Sequence, residues 1–521
     1  MEAFIKKHSP FITGILSGFD RLVFRGFLSS LNYKGGMHAY LYKAGVSFNE
    51  FAGHVEMVTG KVKEGATQCA EKYKRPLIYL PSSETSKEDL AKSIMKRDRI
   101  EKGLVCVLTA VEPCTSVDLH RNRQEKKVEL VFRRRKCLHV YQYWIHPILG
   151  FMNARIQTWF PFTVQICING RRWLSRQMDK AHISYVQQDN CFSEISDIKK
   201  AQKLMDNQLK TNWARLLGGV SQTLNPRHRE IFKKFPTDYY WTTYQSEWAT
   251  DILFSDTQYL HNLYEDLIHH GMTTFQSPDV MRFLGRKITA TGQIPLTCTD
   301  NITTDIKRRH EGVRIKHRCG RNSVKIYNKY FNLLRAETTI NDPTDFKVFR
   351  SKRGEDGRKK SWQPMRKAVA DLHRRSEVSQ ATNDRYLDAL AVVDVPIPVK
   401  SLVQDILKPT ILNERRVRAI NPWSEDDALL LESVMRGAFT INGFRNRNLR
   451  QILFGNSQDL KEEKKRSAQI SRKLRMLRAH GIIKKVPHTH RYHVTERGQS
   501  IISALMAARN ANVNQLTKLA A

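Results

Sequence analysis

The stretch Lys465–Gly498, KRSAQISRKLRMLRAHGIIKKVPHTHRYHVTERG, changes its apolar period partway along, and this change restricts the fold more than any other feature of the chain. Ile470, Leu474 and Leu477 recur at i, i+4 and i+7, a stripe that packs one side of a helix against a small core. Lys465, Gln469, Arg472 and Arg475 point the other way on the same helical wheel. Gly481 stops the helix, and Ile482 and Ile483 begin a strand. Pro487 and His488 to His490 turn the chain before Tyr492 and Val494 return as a second strand. A helix with an apolar back and a cationic, amide-bearing front suits the major groove, where arginine and glutamine reach base edges and lysine reaches phosphate. His490 and Arg491, at the hairpin turn, are the remaining DNA-binding candidates of this stretch.

Two further helices are predicted upstream. Asp427 to Arg436 turns Leu430, Leu431 and Val434 inward, and Phe444 to Phe454 turns Leu449, Ile452 and Leu453 inward. Three helices and a hairpin resemble the winged helix-turn-helix domain of MarR type. The resemblance covers roughly the last fifth of the chain and implies that the third helix enters the groove while the wing meets the backbone.

Charge supports a polyanionic partner. Lys and Arg total 87 against 51 acids, a formal net charge of +36 with a pI near 10.0, and self-repulsion on that scale is relieved by phosphate. Double-stranded DNA is the leading partner, with single-stranded DNA or RNA as alternatives for the body of the chain. No apolar run is long enough to span a bilayer, and MEAFIKKHSPFITGILSGFDR lacks the long apolar core and cleavage site of a signal peptide, so a soluble, cytoplasmic protein without membrane contact is expected. Eight scattered cysteines without a C-x-x-C pair read as buried, reduced thiols and give no readable zinc site.

At 521 residues the chain needs more than one core, and 40% hydrophobic residues suffice to build them. The expected fold is multidomain α+β, with mixed and antiparallel sheets carrying helices, followed by the winged helix-turn-helix. Residues 1–225 read as an α/β region with an antiparallel meander. Short strands are predicted at Arg21–Arg25, Pro76–Leu80 and Gly103–Ala110, helices at Asn49–Tyr73 and Ser86–Arg97. The meander comprises four strands: a first holding Val128, Leu130 and Phe132, then Lys136–Trp144, Ala154–Phe160 and Thr163–Asn169. Helices follow at Gly170–Ala181 and Ser196–Gly218. Tyr141, Tyr143, Trp144 and Trp159 interleave with Arg133–Lys136, Arg155 and Arg171–Arg172, the combination of stacking platforms and cations that single-stranded nucleic acid uses.

Residues 226–350 read as a second α/β module ending in GVRIKHRCGRNSVKIYNKYFNLLRAETTI, Gly312–Ile340. Val313 and Ile315, then Val324 and Ile326, then Leu334, Ala336 and Ile340 alternate with polar residues, so period two gives three strands with one apolar face. The other face carries Arg314, Lys316, Arg318, Lys325, Lys329 and Arg335 as phosphate-binding candidates around Tyr327 and Glu337. A phenol oxygen among cations, with a carboxylate to hold a divalent metal, is the equipment of a DNA-nicking site. The pair VKIYNK and LRAE is similar to the strand pair of plasmid and phage rolling-circle replication initiators. That resemblance covers about thirty residues and implies Tyr327 as nucleophile, Glu337 as metal or general-base carboxylate, and Mg or Mn as cofactor if nicking occurs; no other cofactor is evident. The histidine-apolar-histidine metal motif is missing beside it, and His488-Thr489-His490 has its spacing with a polar centre.

Residues 351–422 read as a charged linker with helices at Met365–Arg375 and Asn383–Val392 and a Pro-rich hinge, leading into the winged helix-turn-helix of residues 423–521. In its tail Ile501, Ile502 and Leu505 are available for packing or for a homodimer. FMNARIQTWFPFTVQICINGRRWLSRQMD and LRAETTINDPTDFKVFR make residues 1–350 look like an abundant family of uncharacterised bacterial proteins, which implies no activity. A P-loop, a G-x-S-x-G elbow and an H-E-x-x-H helix are all missing, which removes support for common ATPase, hydrolase and metalloprotease chemistry. The expected function is sequence-specific DNA binding, regulatory or mobile-element associated. A tyrosine-dependent strand-nicking enzyme and an RNA-binding protein are the alternatives.

Overall fold

The structure is a computed structural model. It describes residues 1–82, 84–286, 301–309, 312–351, 360–393, 403–436, 439, 443–487 and 489–512. Cys298, His488, residues 352–359 of the charged linker and residues 394–402 of its Pro-rich hinge lie outside these. The protein is a mixed α+β chain. Its first half runs α1 (Glu2–His8), β1 (Ile12–Leu28), α2 (Lys34–Ala44), α3 (Phe51–Lys72), β2 (Leu77–Leu80), α4 (Lys87–Arg97), β3 (Gly103–Asn122) and β4 (Lys127–His146). It continues with β5 (Gly150–Gln157), β6 (Val164–Asn169), α5 (Gly170–Lys180), β7 (Tyr185–Gln188), β8 (Cys191–Ile195), α6 (Ile198–Lys210), α7 (Trp213–Leu224), α8 (His228–Ile231) and β9 (Tyr239–Phe254).

Then come α9 (Thr257–Thr273), α10 (Ser277–Phe283), β10 (Ile302–Arg309), β11 (Gly312–Cys319), β12 (Asn322–Lys329), β13 (Leu333–Ile340), β14 (Lys347–Arg350), β15 (Ser361–Pro364) and α11 (Leu372–Leu390). The last part holds β16 (Thr410–Leu412), β17 (Arg415–Val417), α12 (Glu425–Val434), α13 (Asn446–Phe454), α14 (Leu460–Ala479), β18 (Ile483–Lys485), β19 (Tyr492–Val494) and α15 (Glu496–Asn510). Two compact units emerge, each gathered from separated stretches: Leu16–Ala249 with Thr339–Glu377, and Met1–Ile15 with Thr250–Thr338 and Val378–Ala521.

In the unit built on Leu16–Ala249 the strand order is β9-β1-β6-β5-β4-β3-β2. β2 runs parallel to β3, whereas β3-β4, β4-β5, β5-β6 and β6-β1 are antiparallel. One apolar face carries Leu22, Phe24, Val140, Ile156 and Ile166 into a core completed by Val55, Val58 and Val62 of α3 and by Trp213 and Leu217 of α7. Gly170 opens α5 where a Cβ would stand 1.7 Å from the Phe19 carbonyl oxygen, so only glycine permits that approach.

Several local expectations need correction. The strands expected separately around Leu130 and at Lys136–Trp144 are one strand, β4, because Arg133 and Arg135 both pair with Asp118 of β3 and carry the ladder through the charge run. The strand expected at Arg21–Arg25 runs from Ile12 to Leu28. The helix expected at Ser196–Gly218 is two, α6 and α7, since the Asn212 side chain accepts the Arg215 N–H and starts a new helix. The two linker helices merge into α11, beginning at Leu372.

In the other unit β10, β11 and β12 pair antiparallel in sequence, with Arg314 opposite Tyr327 and Lys316 opposite Lys325. Ile315, Val324, Ile326, Leu334 and Ala336 pack on Leu260, Leu263 and Leu267 of α9 and on Tyr386, Leu387 and Leu390 of α11. The same unit holds a separate core over residues 403–505, in which Leu430 and Leu431 of α12, Leu449 of α13, Ile470, Leu474 and Leu477 of α14, Ile483, Val494 and Ile501 meet. Each helix there starts on a side-chain acceptor where the sequence offers one: Ser424 caps α12, Asp459 caps α14 and Thr495 caps α15. Among the described residues no helix is long and apolar enough to cross a membrane.

Candidate nucleic-acid interface

The carboxyl-terminal helix α14 presents the side the sequence assigned to DNA. Its inward stripe, Ile470, Leu474 and Leu477, is buried, and Gly481 ends it with φ +70°. Lys465 and Arg472 are exposed, whereas Gln469 and Arg475 are half-buried. Two other cations on the helix are engaged internally: Arg466 pairs with Glu462 and donates to the Phe454 carbonyl, and Lys473 pairs with Asp426. Beside α14, β18 and β19 pair as a short hairpin, Ile483 opposite Val494 and Lys485 opposite Tyr492. His490 is exposed and Arg491 half-buried at its turn. Ile501, Ile502 and Leu505, expected to be available for a homodimer, are buried in this region's own core.

The Tyr327–Glu337 cluster forms, but behind a closed surface. The Tyr327 hydroxyl donates to Glu337 Oε2 at 2.9 Å, and Lys325 Nζ lies 2.5 Å from Oε1. Lys329 sits 5.4 Å from the centre of the Tyr327 ring. Tyr327 is 8% and Glu337 2% exposed, and β12 and β13 are buried on both faces. Arg335 is 0% exposed, and its guanidinium faces Asp251 two-pronged at 2.5 and 2.8 Å. It is therefore a structural ion-pair member and not a surface phosphate contact. Lys325 and Lys329 are buried too. Of the six phosphate-binding candidates Arg318 is exposed, Lys316 half-buried, and Arg314 half-buried and paired with Asp305 at 2.6 Å. The alternation was legible, but the mutual pairing of charges that lets the polar face be buried was not.

Electrostatics sets how this cluster responds to acid. Burial by itself raises the Glu337 carboxyl pKa, but Lys325, Arg335 and the hydrogen bonds from Lys325 and Tyr327 overcome it, so the net shift is below the ordinary 4.5. A carboxyl with a depressed folded pKa stabilises above the unfolded value and loses that contribution as pH falls through the folded one. The thermal midpoint of this unit is therefore expected to drop as pH is taken below about 4.5, and Glu337→Gln should drop less over the same interval, measured by melting curves across an acid series. An acid dependence identical in Glu337→Gln contradicts the assignment.

In the unit of Leu16–Ala249, β4 pairs with β5 only from His139 onward, so Val111–Asn122 and Lys127–Leu138 form a two-stranded ribbon. Arg133, Arg134, Arg135 and Lys136 are all exposed on it. Arg135 lies 5.3 Å from the centre of the half-buried Trp159 ring, whose Nε1 donates to the Val117 carbonyl. The stacking platforms expected here need correction in part, because Tyr141 and Tyr143 are buried and Arg171, 0% exposed, donates to the Ala249 carbonyl. What the sequence reading missed is Arg25, which register sets beside Gln165 and thereby next to Arg155. Its only signal was that Arg25 falls out of phase with the core-facing Leu22 and Phe24 within β1.

Compared with known proteins, the chain matches no family model, no curated protein and no solved structure. Its class therefore rests on its own geometry: a mixed α+β protein with exposed cations on a carboxyl-terminal helix and on a β-ribbon.

Proposed function

We propose that the protein is a sequence-specific DNA-binding protein, regulatory or mobile-element associated. In this reading residues 423–521 act as a winged helix-turn-helix and the basic body makes a second nucleic-acid contact. One observation carries it: α14 stands on its own core with Lys465 and Arg472 outward, flanked by a hairpin with His490 at its turn. A helix so presented fits the major groove, and a hairpin beside it fits the flanking backbone. The exposed ribbon run Arg133–Lys136 supplies sequence-independent attraction to phosphate.

Selection of bound duplexes from a random library, followed by anisotropy titration, tests the reading. Arg472→Ala is expected to cost about 1–3 kcal/mol on the selected site and to relax its sequence preference, while Lys465→Ala lowers the salt slope by about one. Selection that enriches no sequence contradicts it. For the alternative of tyrosine-dependent nicking with Mg or Mn, the enclosed phenol of Tyr327 is the obstacle. Supercoiled plasmid is expected to stay intact. A nick that disappears in Tyr327→Phe would reinstate the enzyme.

A further inference from the structure

The face of the β1-β6-β5-β4 sheet away from its apolar core gathers arginines around a hollow. Strand register is the cause: Arg25 of β1 stands opposite Gln165 of β6, Gln165 opposite Arg155 of β5, and Gln157 of β5 opposite His139 of β4. Neighbouring strands are about 4.8 Å apart, so these side chains share one patch. With Arg134 from the ribbon they line a cavity of about 360 Å³, within the lower range of small-molecule sites.

The charges around it are unbalanced. Among the described residues no carboxylate lines the cavity. Glu112, behind Arg155, holds it at 2.8 Å but also holds Lys87 at 3.0 Å and accepts from the Tyr141 hydroxyl at 2.6 Å. Among the described residues neither Arg25 nor Arg134 has an acidic partner. Arg25 instead stacks on Tyr244, 3.9 Å from the ring centre. Three arginines thus line the cavity, and Glu112 beside it is already shared between Arg155 and Lys87. Burial, reinforced by Arg155, holds the Arg25 guanidinium below its ordinary pKa against the pull of Tyr244. A like-charged, half-buried cluster is costly unless an anion shares it, and planar guanidinium forks match phosphate oxygens two at a time.

We propose that this cavity binds a phosphate dianion, presented either as free phosphate or as the phosphorylated end of a nucleotide strand. A terminal phosphate carries nearly twice the charge of an internal phosphodiester at neutral pH, which suits the surplus of arginine better. Arg155, held through Nη1 by Glu112 and the Tyr141 hydroxyl and through Nη2 by Gln165 Oε1 at 3.1 Å, supplies a cation already set in place. Arg25 and Arg134 close on the remaining oxygens. The site stands whether or not the carboxyl-terminal region reads duplex sequence, since none of its residues belongs to that region.

The test is calorimetric titration of the full-length protein with inorganic phosphate, a 5′-phosphorylated dinucleotide and its 5′-hydroxyl counterpart, ligands too short to span the basic ribbon. Phosphate and the phosphorylated dinucleotide are expected to saturate one site, the hydroxyl form to bind at least tenfold more weakly. Arg25→Met and the exposed Arg134→Gln should each weaken phosphate binding about tenfold or more, the scale of a lost hydrogen bond to a charged group. Because Arg134→Gln removes no internal partner, it decides the matter if Arg25→Met folds poorly. Tighter binding of the phosphorylated dinucleotide than of phosphate assigns the site to strand ends, and equal binding assigns it to free anions. Indistinguishable affinities for the two dinucleotides, or both variants binding phosphate as the parent does, overturns the proposal.

Discussion

Arg335→Met is expected to destabilise the unit containing β10–β13 by about 3–5 kcal/mol, because it removes the guanidinium that holds the carboxylate of Asp251, 1% exposed, at two points. The loss should appear as a lower urea midpoint and as faster amide exchange in β13. The pair's net worth is a separate quantity, since burying both charges costs desolvation that their attraction only partly offsets. A second measurement isolates it: the double variant Asp251→Leu with Arg335→Met removes both charges and should be less destabilised than Arg335→Met alone. A single variant as stable as the parent would show that the guanidinium contributes nothing there.

Leu474→Ala is the second large effect. Leu474 is 2% exposed between Ile470 and Leu477 on the buried side of α14, so truncation removes packed methyl groups from a core that spans only residues 403–505. Large-to-small changes at such sites cost about 2–5 kcal/mol, a large share of the stability of a core this small. Sequence-selective duplex binding should be lost, while salt-sensitive, sequence-independent binding through the Arg133–Lys136 ribbon remains. Arg472→Ala separates structure from contact: it should weaken recognition without moving the melting curve, since Arg472 is exposed and, among the described residues, donates to the Ala468 carbonyl of its own helix. Leu474→Ala that keeps full sequence selectivity would remove α14 from the recognition role.

Legibility followed the range of the interactions. The stripe of α14, its stop at Gly481 and the hairpin β18–β19 were readable because each is set within a few residues, by helical spacing, a left-handed glycine and strand alternation. The alternation in β11–β13 was readable for the same reason. The continuity of β4 through four cations was hidden, since Asp118, which pairs with two of them, comes from another strand. The approach of Arg25, Arg134 and Arg155 to one cavity was hidden as well, because it depends on registers across β1, β6, β5, β4 and β3.

By itself, then, the sequence determined local periods, helix stops, strand faces and the charge surplus of +36. Only the tertiary structure decided which cations meet solvent: Lys465, Arg472 and Arg134 do, whereas Arg335, Lys325 and Lys329 are enclosed. The physical reason is that a charge can be buried only beside a compensating group. Partners such as Asp251 for Arg335 are placed by strand pairing between distant segments, which no local pattern encodes.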